Sequence, residues 1–109
     1  MAVRRSTLLI PAITTVVTIT KAREEEKIAA VLYCISKDAH TIRTCRDCAT
    51  NYALVSERTV NTILRILCYQ YGLVRFDTKL RRWIKTHSLP KFKSFGDALL
   101  YVITRRMKL

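Results

Sequence analysis

Cys45 and Cys48 stand three apart in Thr-Cys-Arg-Asp-Cys-Ala, the spacing of half a zinc site or of a redox pair. A structural zinc site usually holds such a pair in a tight turn and adds a second close pair of ligands. This segment has no Gly or Pro, and Cys34 and Cys68 each stand alone inside apolar helical patterns. Residues three apart on a helix share a face, so the expectation is four small buried hydrophobes and no metal. The alternatives are a zinc site and a Cys34–Cys68 disulfide; a reducing cytosol disfavours the latter unless the source is a hyperthermophile. His40 and His87 are the only near-neutral bases, both in expected loops and neither beside a nucleophile signature. Glu24, Glu25 and Glu26 begin an expected helix, where the dipole accounts for them better than a metal does. The two glycines, Gly72 and Gly96, make no phosphate-cradling loop. This inventory predicts neither enzyme nor cofactor.

A second set of residues suits recognition. With Val60, Ile63, Leu64 and Leu67 turned inward on a helix, Arg58, Thr59, Asn61, Thr62 and Arg65 lie outward. Guanidinium groups pair with guanine, amides with adenine, and threonine offers a hydroxyl and a methyl, so these five are candidate readers of DNA bases. Arg43, Arg46, Ser56, Lys79, Arg81 and Arg82 are the matching candidates for phosphate contact, which positions a domain without reading sequence. The bland alternative is an ordinary solvated helix face. Tyr69, Phe76 and Trp83 have rings that can stack on unpaired bases, but Trp83 is expected to pack on the core.

The charge supports an anionic partner. In 109 residues, 20 Lys and Arg face 8 Asp and Glu, a net charge of +12 with a pI near 10.1. Residues 1–54 hold eight basic and five acidic side chains, net +3; residues 55–109 hold twelve and three, net +9. Half of the residues are hydrophobic and Gly and Pro are scarce, which excludes a disordered basic tail and leaves one small domain with a core. The opening Met1 to Thr20 has a basic start and an apolar stretch, the outline of a signal peptide. Five threonines and Pro11 dilute it, and no small-x-small cleavage site follows. It reads better as an extension, strand or helix, that packs on the domain or on a second copy. No run approaches the roughly 20 apolar residues of a membrane span.

The elements that position these groups follow from periodicity. Residues 22–37 predict an amphipathic helix with Ile28, Val31, Leu32 and Ile35 on one buried face. A second helix is expected from Thr41 to about Ala53, a break at Leu54-Val55, and a third from about 57 to 71, with Ser56 as its cap and Gly72 as its stop. Residues 73–77 and 81–85 predict a hairpin with a basic tip. Ser94 and Asp97 resemble a capping box for a last helix over about 95–108.

The string Ser56-Glu57-Arg58-Thr59-Val60, the helical Leu64-x-x-Leu67 and Gly72-Leu73-Val74 resemble the recognition helix and first wing strand of winged helix-turn-helix transcriptional regulators. The resemblance spans 28–86. Two positions depart from the pattern: Ala53 stands where the turn usually has Gly, and Val55 lengthens the break by one residue. The resemblance implies an α+β, mostly helical winged-helix core over 22–86 with a short β-hairpin wing, an N-terminal extension over 1–20 and a C-terminal helix over 94–108. It implies sequence-specific binding of double-stranded DNA and a role in transcriptional regulation. A homodimer through the apolar segments Leu8 to Ile19 and Phe95 to Ile103 is expected, since paired half-sites multiply specificity. The expected location is cytoplasmic, at the nucleoid if the source is a cell, with no membrane partner. The alternatives are a winged-helix interaction module in a transcription or replication assembly and an RNA-binding protein.

Overall fold

The computed structural model describes residues 24–109. Among them are four helices and one two-stranded antiparallel hairpin, an α+β arrangement that is mostly helical. In chain order these are α1 (24–36), α2 (Ile42–Ala49), α3 (Glu57–Tyr69), β1 (Val74–Asp77), β2 (Arg82–Lys85) and α4 (Phe95–Thr104). The expectations placed on residues 1–20, including the apolar segment Leu8 to Ile19, lie outside the described residues. No described helix is long and apolar enough to cross a membrane.

Helix α1 corrects the reading of a single buried face. Every residue from Ile28 to Tyr33 is buried, as are Cys34 and Ile35, so two full turns are enclosed on all sides. Apolar residues all round are what an interior helix requires, and Ala29 and Ala30 let neighbours approach its backbone. Its end is closed by Asp38 at φ 70°, with the Ala39 N–H donating to Cys34 O at 3.0 Å and the Asp38 N–H to Ile35 O at 3.1 Å. That pattern satisfies the last carbonyls of a helix. Lys85 Nζ lies 3.2 Å from Asp38 Oδ1 and ties β2 to the same corner.

The cysteine expectation is also corrected. Cys34 of α1 and Cys48 of α2 form a disulfide, with Cα atoms 5.9 Å apart. The residues predict four small buried hydrophobes, with a zinc site and a Cys34–Cys68 disulfide as the alternatives. The actual bond joins two helices, α1 and α2. Cys45 is buried and its thiol donates to Ala39 O at 3.2 Å; Cys68 is half-buried. Burial pushes the Cys45 thiol up to about 12. The thiolate is the reactive form, so alkylation at pH 8 should modify Cys68 in the native protein and reach Cys45 only on unfolding. Mass spectrometry after brief labelling checks this, and early label on Cys45 would contradict it.

Helix α2 is shorter than expected. Thr41 and Thr44 cap it reciprocally, each backbone N–H donating to the other side chain's hydroxyl at 3.0 and 3.1 Å. It ends because local groups capture its carbonyls: Thr50 Oγ1 donates to Asp47 O and the Asn51 amide to Cys48 O. Residues 50–53 therefore form a turn, with Ala53 and Val55 buried and Leu54 exposed between them. Helix α3 starts where expected, with the Thr59 N–H donating to Ser56 Oγ at 3.2 Å. It stops at Tyr69 rather than 71. Val60, Ile63, Leu64 and Leu67 are fully buried, each worth on the order of 1.5–3 kcal/mol against exposure.

Gly72 turns the chain from α3 into β1. Its φ is 63°, and no atom lies within 4 Å of where a Cβ would stand. A Gly72→Ala change should therefore cost about 1 kcal/mol through backbone conformation alone, the left-handed penalty less the entropy gained in the unfolded chain. Urea unfolding checks it; a loss of several kcal/mol would show that packing is involved after all. In the hairpin Val74 pairs with Lys85 and Phe76 with Trp83, which puts these four on one face, and Val74 and Trp83 are buried there. The outer edge of β2 is not open at Trp83. The Trp83 N–H donates to His40 O at 2.7 Å, and His40 Nδ1 donates to Trp83 O at 3.0 Å. One histidine thus supplies both rungs of a third strand.

Helix α4 ends at Thr104, short of the expected 108. Arg106 adopts φ 53°, and the Met107 N–H returns to Val102 O at 3.1 Å, which buries Met107 instead of extending the helix. Ser94 accepts the Asp97 N–H as its cap, while the Asp97 carboxylate takes the Lys93 N–H rather than that of Ser94.

Candidate nucleic-acid interface

The face of α3 opposite the core carries the five residues singled out as readers. Arg58, Thr62 and Arg65 are exposed, and Thr59 and Asn61 are half-buried. Two of them already have local bonds. Thr62 Oγ1 donates to Arg58 O at 3.1 Å, and Thr59 Oγ1 receives the Ser56 hydroxyl at 3.1 Å. Among the described residues the Asn61 amide and the Arg58 and Arg65 guanidinium groups make no hydrogen bond or ion pair, so their donors remain available.

Asn61, Arg65 and Tyr69 follow one another at four-residue intervals and form a single stripe along α3. The hairpin packs beside this stripe. Between them lies an open groove of about 460 Å³ lined by Ile42, Asn61, Arg65, Tyr69, Phe76 and Trp83. Trp83 is the buried floor, as its reading from sequence had it. Tyr69 is 82% exposed and Phe76 44%. The sequence marked the three aromatics but not their meeting with Asn61 and Arg65 across the hairpin register. Ile42 carried no signal at all.

The phosphate candidates divide in two. Arg43 at the start of α2 and Lys79, Arg81 and Arg82 at the hairpin tip are exposed and unpaired among the described residues. The tip owes its shape to Asp77, whose Oδ1 accepts the N–H groups of Lys79 and Leu80 at 3.0 and 3.1 Å, and to Arg81 at φ 52°. Arg46 and Ser56 are engaged otherwise. Arg46 hydrogen-bonds Asp47 at 2.9 Å and approaches Glu57 at 3.6 Å, contacts that hold it still more firmly as a cation. It ties α2 to the first turn of α3. The Ser56 hydroxyl serves the cap of α3 as both donor and acceptor.

A second concavity, of about 480 Å³, lies at the base of the hairpin and is lined by Ser36, Arg75, Lys85, His87 and Lys91 with Leu89 and other loop residues. Its cations come from separate segments, so no local motif announced it. Among the described residues no group of three His, Cys, Asp or Glu side chains is placed to hold a metal ion. The Cys48 sulfur is bonded to Cys34, so the C-x-x-C pair is not a pair of free thiolates.

No protein-family model, curated protein or solved structure matches this chain.

Proposed function

We infer that the chain is a winged helix-turn-helix protein that binds double-stranded DNA sequence-specifically and acts in transcriptional regulation by occupying its site. The observation that carries this reading is the division of α3. One face is wholly buried, while the other offers unpaired guanidinium and amide groups beside a hairpin whose tip bears Lys79, Arg81 and Arg82. The helix would enter the major groove, and the hairpin tip and Arg43 would meet the flanking phosphates. His40 braces the hairpin against the chain between α1 and α2, which fixes the wing's attitude to the reading helix.

The roles separate experimentally. Binding is measured by fluorescence anisotropy against a site selected from random duplex DNA and against scrambled duplex. Arg58→Ala and Asn61→Ala should cut the preference for the selected site about tenfold, within the roughly 1–3 kcal/mol of one base contact. Lys79→Ala and Arg82→Ala should weaken both complexes equally. Identical behaviour of all four variants would overturn the division into readers and clamps. Preference for structured RNA, or indifference to every nucleic acid, would favour the RNA-binding or protein-interaction alternative instead.

The same reading takes the protein to act as a homodimer. On α4, Leu100 and Ile103 are 65% and 48% exposed, apolar side chains that a second copy would cover. Sedimentation showing monomer alone at tens of micromolar would remove this part.

A further inference from the structure

We propose that the groove between α3 and the hairpin is a pocket for one unpaired DNA base, so that the protein favours duplexes containing an unpaired or extruded nucleotide. This deepens the reading of the chain as a duplex-DNA binder and rests on it. Tyr69 is the most exposed large apolar side chain among the described residues, although it stands on the helix whose other face forms the core. Phe76 meets Trp83 edge to face, with centroids 5.2 Å apart and planes at 67°, so its ring is held in place while 44% of its surface stays open. The open ring of Tyr69 and the held ring of Phe76 therefore border a groove floored by Trp83 and Ile42. Its volume of about 460 Å³ lies within the general range of small-molecule sites and leaves room for one base.

The polar groups in the groove narrow the occupant. Asn61 offers an amide donor and an amide acceptor, the complement of a base's pairing edge, and Arg65 offers a planar fork of donors. Neither has another partner among the described residues. A base inside a duplex is covered on both faces and its pairing edge is engaged, so only an unpaired base presents a face to Tyr69 and its pairing edge to Asn61. Lys79, Arg81 and Arg82 on the same hairpin supply cations for the strand that carries it, which favours nucleic acid over an apolar peptide.

The test uses the full chain with three probes at one salt concentration: a blunt duplex, the same duplex with one unpaired thymine, and single-stranded oligothymidine. Wild-type protein should bind the duplex with the unpaired base about tenfold more tightly than the blunt duplex, in keeping with one base stacked on an aromatic ring. Trp83 is the sole tryptophan, and its emission should change only with probes that offer an unpaired base. Tyr69→Ala should abolish the tenfold preference for the unpaired-base duplex over the blunt one, and Tyr69→Phe, which keeps the ring, should retain it. Equal affinity for both duplexes with unaltered emission overturns the pocket and leaves the duplex reading standing. Binding to the unpaired-base and single-stranded probes without binding to blunt duplex supports the pocket and overturns the duplex reading. Failure to bind any probe overturns both.

Discussion

Raising the salt concentration from about 50 to about 200 mM should weaken duplex DNA binding about 150-fold. The figure comes from four of the phosphate candidates, Arg43, Lys79, Arg81 and Arg82, which are exposed and unpaired among the described residues. Each neutralised phosphate releases a counterion and contributes about −0.9 to the logarithmic salt slope, so four contacts give a slope of about −3.6. Arg46 is left out of the sum because Asp47 and Glu57 already hold its guanidinium. Removing Lys79 or Arg82 should each flatten the slope by about one, and alanine at Arg46 should leave it nearly unchanged. A wild-type slope shallower than about −2 would mean that the hairpin tip does not track the backbone.

Breaking the Cys34–Cys48 bond should lower stability by about 3 kcal/mol, the loop-closure expectation for a crosslink between residues about fifteen apart. Paired urea titrations with and without reductant measure the loss. A Cys34→Ala, Cys48→Ala double variant serves as control and should show no response to reductant. The bond fastens the enclosed helix α1 to α2, and α2 packs against α3 and is tied to it by Arg46 and Glu57. Loosening it should therefore also blunt DNA sequence preference before unfolding becomes visible. Wild-type stability that does not respond to reductant would show that the two sulfurs are not joined in solution.

Element types were legible wherever a local signal was strong. Ser56 before Glu57, apolar residues at 60, 63, 64 and 67, and Gly72 specify where α3 begins, which face it buries and how the chain leaves it. These are interactions within a few residues, so the order of the chain contains them. Lengths were less legible. Helix α2 and helix α4 stop early because Thr50, Asn51 and Arg106 divert backbone carbonyls into local bonds that compete with one more helical turn.

The sequence by itself determined the order of elements, the buried side of α3 and the concentration of positive charge after residue 54. Only the tertiary structure decided which cations are free, which cysteines join and where the aromatics meet Asn61 and Arg65. Arg46 looks like any basic residue until Glu57, eleven positions on, folds against it. Cys34 pairs with Cys48 because the fold brings α1 and α2 together at these two positions, a fact no spacing encodes. Asn61 and Tyr69 share a stripe by helical period alone, but Phe76 and Trp83 reach them only through the hairpin's register and its attachment to His40. Local backbone preferences act over a few residues, whereas a groove is made by side chains from distant segments, and packing alone sets that proximity.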